Sequence, residues 1–121
     1  MVISLSEQKA VRDLERLASL HKTLGDPVRL RIVNMLLEQP TCVKALCEVL
    51  NMSQPRISRH MAVLRGAGII FTRREGKFIF YNLEYTRECD GIFSCVLNAR
   101  ENFSLFREDI RKLKRVQKEV C

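Results

Sequence analysis

Apolar positions along the first half of the chain keep a helical period that is interrupted at regular, recognisable stops. From Ser6 to about Leu24, the residues Val11, Leu14, Leu17, Ala18, His21 and Leu24 fall on one broad face, which predicts a helix ending at Gly25. Asp26 is the predicted cap of a second helix, with Pro27 in its first position, Val28, Ile32, Met35 and Leu36 on its inner side and Pro40 as its stop. Thr41 reads as the cap of a short third helix in which Val43, Leu46, Cys47 and Leu50 recur at i, i+3, i+4 and i+7. After the turn Asn51-Met52-Ser53, Ser53 caps a fourth helix, which has Pro55 in its first turn, turns Ile57, Met61 and Leu64 inward and runs out at Gly66 and Gly68.

The period then changes. "IIFTRREGKFIFYNL", residues 69–83, is rich in Ile, Phe, Thr and Tyr and is split by Arg74-Glu75-Gly76, the pattern of a two-stranded hairpin. From about residue 89 to 118 the helical period returns, with Ile92, Val96, Ala99, Phe103, Phe106, Ile110 and Leu113 forming one seam in steps of four and three. Two short helices joined by a tight turn form a helix-turn-helix, here about residues 41–66, and a hairpin following it at about 69–83 is a wing. The expected fold class is therefore mostly α with a β-hairpin wing. It is a single winged helix-turn-helix domain over residues 1–121, dimerising through its N- and C-terminal helices because so long a seam exceeds what a small domain can bury.

Charge sharpens the picture. The chain of 121 residues carries a formal net charge of +7, and residues 53–77 hold Arg56, Arg59, Arg65, Arg73, Arg74 and Lys77 against Glu75 alone. Such a concentration points to a polyanionic partner. The start of the second helix of a helix-turn-helix enters the major groove, which nominates Ser53, Gln54, Arg56, Ser58, Arg59 and His60 as DNA contacts. Gln and Arg suit bidentate pairing with adenine and guanine, while Ser and the helix N-terminus suit phosphates. Arg73, Arg74 and Lys77 on the wing face the backbone or the neighbouring minor groove. The alternative outside this class is a winged-helix protein-interaction module whose basic residues serve an acidic partner. An enzyme is disfavoured, since there is no Gly-rich phosphate loop, no carboxylate pair in an apolar setting and no His beside a candidate nucleophile. No secretory signal and no apolar run of membrane-spanning length are present, so a cytoplasmic location without membrane contact is expected.

The five cysteines, Cys42, Cys47, Cys89, Cys95 and Cys121, are an odd number, which argues for free or ligating thiols over a disulfide framework. Cys42, just after the predicted cap, sits where a helix N-terminus lowers a thiol's pKa and leaves it accessible, so it is the expected reactive residue. Cys47 lies on the apolar stripe, where a free thiol packs as a small hydrophobe. Packing is the first expectation for Cys89 and Cys95, and fraying for Cys121.

The order of elements, with "LGDPVRLRIVNMLL", "SQPRISRHMAVLRGAGII" and "RREGKFIFYNL", resembles the ArsR/SmtB family of dimeric winged-helix metalloregulatory repressors over about residues 11–83. The resemblance implies a homodimer that binds a palindromic double-stranded DNA operator, needs no cofactor to do so, and leaves when an effector binds. It is similar to the arsenic-responsive type at "CVKALC", where Cys42 and Cys47 match the first and third cysteines and Lys44 stands in place of the middle one. The resemblance thus implies arsenite or antimonite held by Cys42 and Cys47, with a third ligand from Cys89, Cys95 or Cys121. The family's zinc site is absent, since no His follows His60, and so is a thiolate site near the end of the reading helix, where Val63 and Ala67 stand. A thiol-based redox or persulfide switch on the same fold is the other reading of the cysteines.

Overall fold

The computed structural model describes residues 2–121. Its elements follow the chain as α1 (Leu5–Thr23), α2 (Pro27–Glu38), β1 (Thr41–Cys42), α3 (Val43–Leu50), α4 (Gln54–Gly66), β2 (Ile70–Glu75), β3 (Phe78–Leu83), α5 (Arg87–Ala99) and α6 (Ser104–Val120). Local chemistry sets most of these boundaries. The Asp26 carboxylate accepts from the backbone N–H groups of Val28 at 2.8 Å and Arg29 at 3.1 Å, closing the N-terminus of α2. Ser53 Oγ accepts from Arg56 N to start α4. Between α3 and α4, Asn51 takes the left-handed conformation at φ 53°, a role its short polar side chain tolerates. The wing turns at Gly76, φ 61°, the first of two residues between the paired Glu75 and Phe78, where a primed turn requires a positive φ.

The core joins α2, α3, α4 and the base of the wing to α5 and α6. Ile32, Val33, Met35, Leu46, Ile57, Met61, Leu64, Ile69 and Leu113 are among its fully enclosed side chains. Around them, polar groups are paired. Asp109, fully buried, receives Arg31 in a two-point contact at 2.8 and 2.9 Å. Asn34, also fully buried, accepts from Arg100 Nε at 2.7 Å and donates to the Phe106 carbonyl at 3.1 Å. Glu38 meets Arg100 at 2.9 Å and Lys114 at 3.2 Å.

Four sequence expectations need correction. Thr41 is not a helix cap: it lies in β1, its hydroxyl donates to the Gln39 carbonyl, and Cys42 occupies the cap position without a side-chain cap bond. The wing accordingly has a third strand, in the order β1-β3-β2, with Thr41 opposite Tyr81 and Cys42 opposite Phe80. The C-terminal helix is two helices, because Arg100–Phe103 form a turn that Arg100 anchors to Asn34 and Glu38 and that Arg107 braces through the Arg100 and Glu101 carbonyls. The predicted seam therefore folds back and buries Ile92, Val96, Ile110 and Leu113 within the same chain, leaving Phe103 exposed at the bend. Finally, α1 buries Leu20 alone and leaves Val11 and Leu14 in solvent, 48% and 67% exposed.

Candidate nucleic-acid interface and thiol pair

Helix α4 is held by its inner residues Ile57, Met61 and Leu64, which fixes what its opposite side presents. Ser53, Gln54, Arg56 and Arg59 are exposed there, and Ser58 and His60 are half-buried at its flank. Arg73, Arg74 and Lys77 are exposed on the wing. Arg74 Nε donates to the Gly76 carbonyl at 3.3 Å, and the Lys77 ammonium lies 5.5 Å from the Phe78 ring centroid. Among the described residues, ion pairs involve Arg31, Arg100 and Lys114, so the cations of α4 and the wing carry no carboxylate partner. An array of unneutralised cations beside a helix N-terminus is chemically suited to successive phosphates.

One contact on this side was not visible in the sequence. Arg29, in the first turn of α2, donates from Nη1 to Nδ1 of His60 at 3.2 Å and from Nε to the Thr23 carbonyl at 2.6 Å.

The cysteines distribute differently from the expectation. Cys42 and Cys121 are joined in a disulfide with a Cα–Cα distance of 6.7 Å, so the odd count conceals a pair and Cys121 is not frayed. Cys42 is also 3% exposed, not an accessible thiol past a cap. The pair forms because α6 turns back across α3; Gln117 Nε2 donates to the Pro40 carbonyl at 2.8 Å beside it. A cleft of about 440 Å³ lined by Gln39, Phe80, Lys114, Gln117, Lys118 and Cys121 leads to it from solvent.

Cys47, Cys89 and Cys95 are free, respectively half-buried, buried and exposed. Burial, followed by the charge of Glu48, pushes the Cys47 thiol above its ordinary pKa, which suppresses the nucleophilic thiolate. Among the described residues no three His, Cys, Asp or Glu side chains are grouped to hold a metal ion. Trivalent arsenic is soft and favours several thiolates; the two sulfurs brought together here, those of Cys42 and Cys121, are joined as a disulfide, and Lys44 provides no sulfur. No described helix is long and apolar enough to cross a membrane.

Residues 26–71 match the family described as bacterial regulatory protein, arsR family. The chain is similar to the arsenical resistance operon repressor of Escherichia coli, 48% identical over 65 residues that cover 53% of this chain and 56% of that one, so it spans little more than half of that relative's length. Among solved structures it is similar to the transcriptional repressor BigR of Xylella fastidiosa, 33% identical with a TM-score of 0.65 over 81% of this chain and 93% of that one. Reduced HlyU of Vibrio cholerae is 28% identical with a TM-score of 0.67 over 79% and 97% of the two chains. The helix-turn-helix, its wing and these likenesses agree, and the chain belongs to the ArsR family of DNA-binding transcriptional regulators, winged helix-turn-helix proteins and not enzymes.

Proposed function

We propose that this chain is a transcriptional repressor that binds a palindromic operator as a homodimer and releases it when Cys42 and Cys121 become a disulfide. The observation that carries the reading is the pairing of those two sulfurs, which ties the cap of α3, the first helix of the helix-turn-helix, to the end of α6. Since α3 packs directly on α4, a bond that fixes α3 against α6 also fixes the angle of the reading helix. The contacts assigned to DNA are Ser53, Gln54, Arg56, Ser58, Arg59 and His60 in the major groove and Arg73, Arg74 and Lys77 on the backbone. Exposed Val11 and Leu14 of α1 and Leu97 of α5 supply an apolar surface for the second protomer.

A sulfane-sulfur oxidant such as a polysulfide or persulfide supplies balanced chemistry. One thiolate attacks the terminal sulfur and expels the remainder as a thiolate, leaving a cysteine persulfide. The second thiolate then attacks the cysteine sulfur of that persulfide and expels hydrosulfide, so the two cysteines lose two electrons and the sulfane sulfur gains them.

The test is fluorescence anisotropy on a labelled duplex from the chain's own promoter region, comparing reduced protein with protein treated with polysulfide. Release of wild type, restored by dithiothreitol and absent in Cys121→Ser, is expected. Equal affinity of both forms overturns the redox reading.

A second reading is supported by the likeness to the arsenical resistance repressor, together with an arsR-family match over residues 26–71 that includes "CVKALC". In it, reduced Cys42 binds arsenite or antimonite together with Cys47 and a third thiol from Cys89, Cys95 or Cys121. Release of reduced protein by arsenite, lost in Cys47→Ser, supports it; insensitivity removes it. Binding to an acidic protein instead of DNA is disfavoured by the family.

A further inference from the structure

We infer that Arg29 is a positioning residue for sequence reading: it fixes the tautomer of His60 so that the ring presents an Nε2–H donor to DNA. The inference rests on the reading of α4 as the DNA-contacting helix.

A guanidinium has five N–H donors and no acceptor. Facing Arg29 Nη1 at 3.2 Å, Nδ1 of a neutral His60 ring has to be the acceptor, and the ring proton is then on Nε2. The guanidinium is itself held. Its Nε donates to the Thr23 carbonyl, one of the orphan carbonyls at the end of α1, while its backbone N–H donates to Asp26. Arg29 thus reaches α4 from a joint between α1 and α2 that leaves it little freedom. Lys cannot replace it, because a single ammonium on a flexible stem does not present a planar fork to two acceptors.

The two imidazole nitrogens lie on opposite flanks of the ring, so the flank turned from Arg29 carries the proton. Among the described residues nothing is hydrogen-bonded to Nε2. His60 follows Arg56 by four residues and Arg59 by one, which places it beside the cations that project from α4. A donor in that place takes phosphate oxygen, guanine N7 and O6, adenine N7 or thymine O4 as partners. The opposite tautomer would present an acceptor and favour the amino groups of adenine and cytosine. Arg29, which need not touch DNA, therefore decides which base edges His60 tolerates.

Two measurements test this together. Long-range proton–nitrogen NMR of the wild-type protein, at a pH above the ordinary imidazole range, is expected to show His60 protonated at Nε2, and a mixture of tautomers in Arg29→Met. Operator affinity is expected to fall about tenfold in Arg29→Met. His60→Gln, which has no tautomer to fix, is expected to lower the affinity on its own and to make Arg29→Met nearly silent in its background. A His60 ring protonated at Nδ1 in wild type, or the same loss from Arg29→Met in both backgrounds, overturns the inference. Arg56→Ala and Arg59→Ala serve as controls. If they leave the affinity intact, the reading of α4 fails independently of the tautomer.

Discussion

Reducing the Cys42–Cys121 bond is expected to weaken the fold by an amount set by how much chain the bond closes. The two residues are separated by 79 positions, nearly two thirds of the sequence. Cross-linking so long a loop removes conformational entropy from the unfolded chain, and the chain-entropy relation gives about 4.5 kcal/mol at 25 °C for that length. For a chain of this size the urea slope is roughly 1.5–2 kcal/mol per molar, so the midpoint moves by about 2–3 M. The assay is urea unfolding followed by circular dichroism at one fixed protein concentration, since association of protomers would otherwise shift the midpoint. Oxidised and reduced wild type and Cys121→Ser are compared, with peptide mapping under non-reducing conditions to identify the linkage. Reduced wild type and Cys121→Ser are expected to coincide, with the oxidised protein well above both. Coincidence of all three curves with the linkage intact would refute the reasoning, because a bond that closes this loop must restrict the unfolded state.

Arg56→Ala and Arg59→Ala are each expected to weaken operator binding while leaving the thermal midpoint unchanged, and a phosphate contact among them lowers the salt slope of binding by about one. Asp109→Asn leaves Arg31 facing a neutral side chain in a site where the carboxylate was fully buried, and urea unfolding is expected to show a loss of about 3 kcal/mol. Despite burial, which acts in the opposite direction, backbone N–H groups hold Asp26 below 3.8, and Lys114 and Arg100 hold Glu38 below 4.5. Depressed folded-state values mean that this stabilisation is complete above the unfolded values and drains away as pH falls through the folded ones. Thermal midpoints are therefore expected to be level between about pH 6 and 8 and to drop below about pH 4; a midpoint that rises on acidification would contradict the assignment.

Much of this architecture was legible because local signals decided it. Asp26-Pro27, Ser53-x-Pro55 and the Ile57, Met61, Leu64 stripe each specify a helix within a few residues, and Gly76 specifies its turn without reference to the rest of the molecule. What escaped depends on partners far away in sequence. The two residues of β1 are too few to show a period, and they are a strand only because β3 comes alongside. The break at residues 100–103 interrupts a run of acceptable helix formers and is held by Asn34 and Glu38, more than sixty positions earlier. Spacing could not reveal that Cys121 meets Cys42, since nothing local marks the fold-back of α6. Arg29 was missed for the same reason: it reads as an ordinary first-turn residue until α4 is placed beside it.

The fold-back of α6 also determines the order in which parts of the molecule open. Its anchors, Asp109 to Arg31 and Gln117 to Pro40, join residues 78 and 77 positions apart, whereas the helix-turn-helix and the hairpin are stitched by neighbours. Contacts that close long loops form late in folding and, once released, return slowly. With the thiols reduced, α6 is thus the natural unit of sub-global opening, and its amides are expected to exchange with solvent before those of α4 and the wing. Oxidation merges that unit into the rest of the fold. The bond acts as a setting on how many independently melting parts the protein has, and hydrogen exchange in the two redox states reads that number directly.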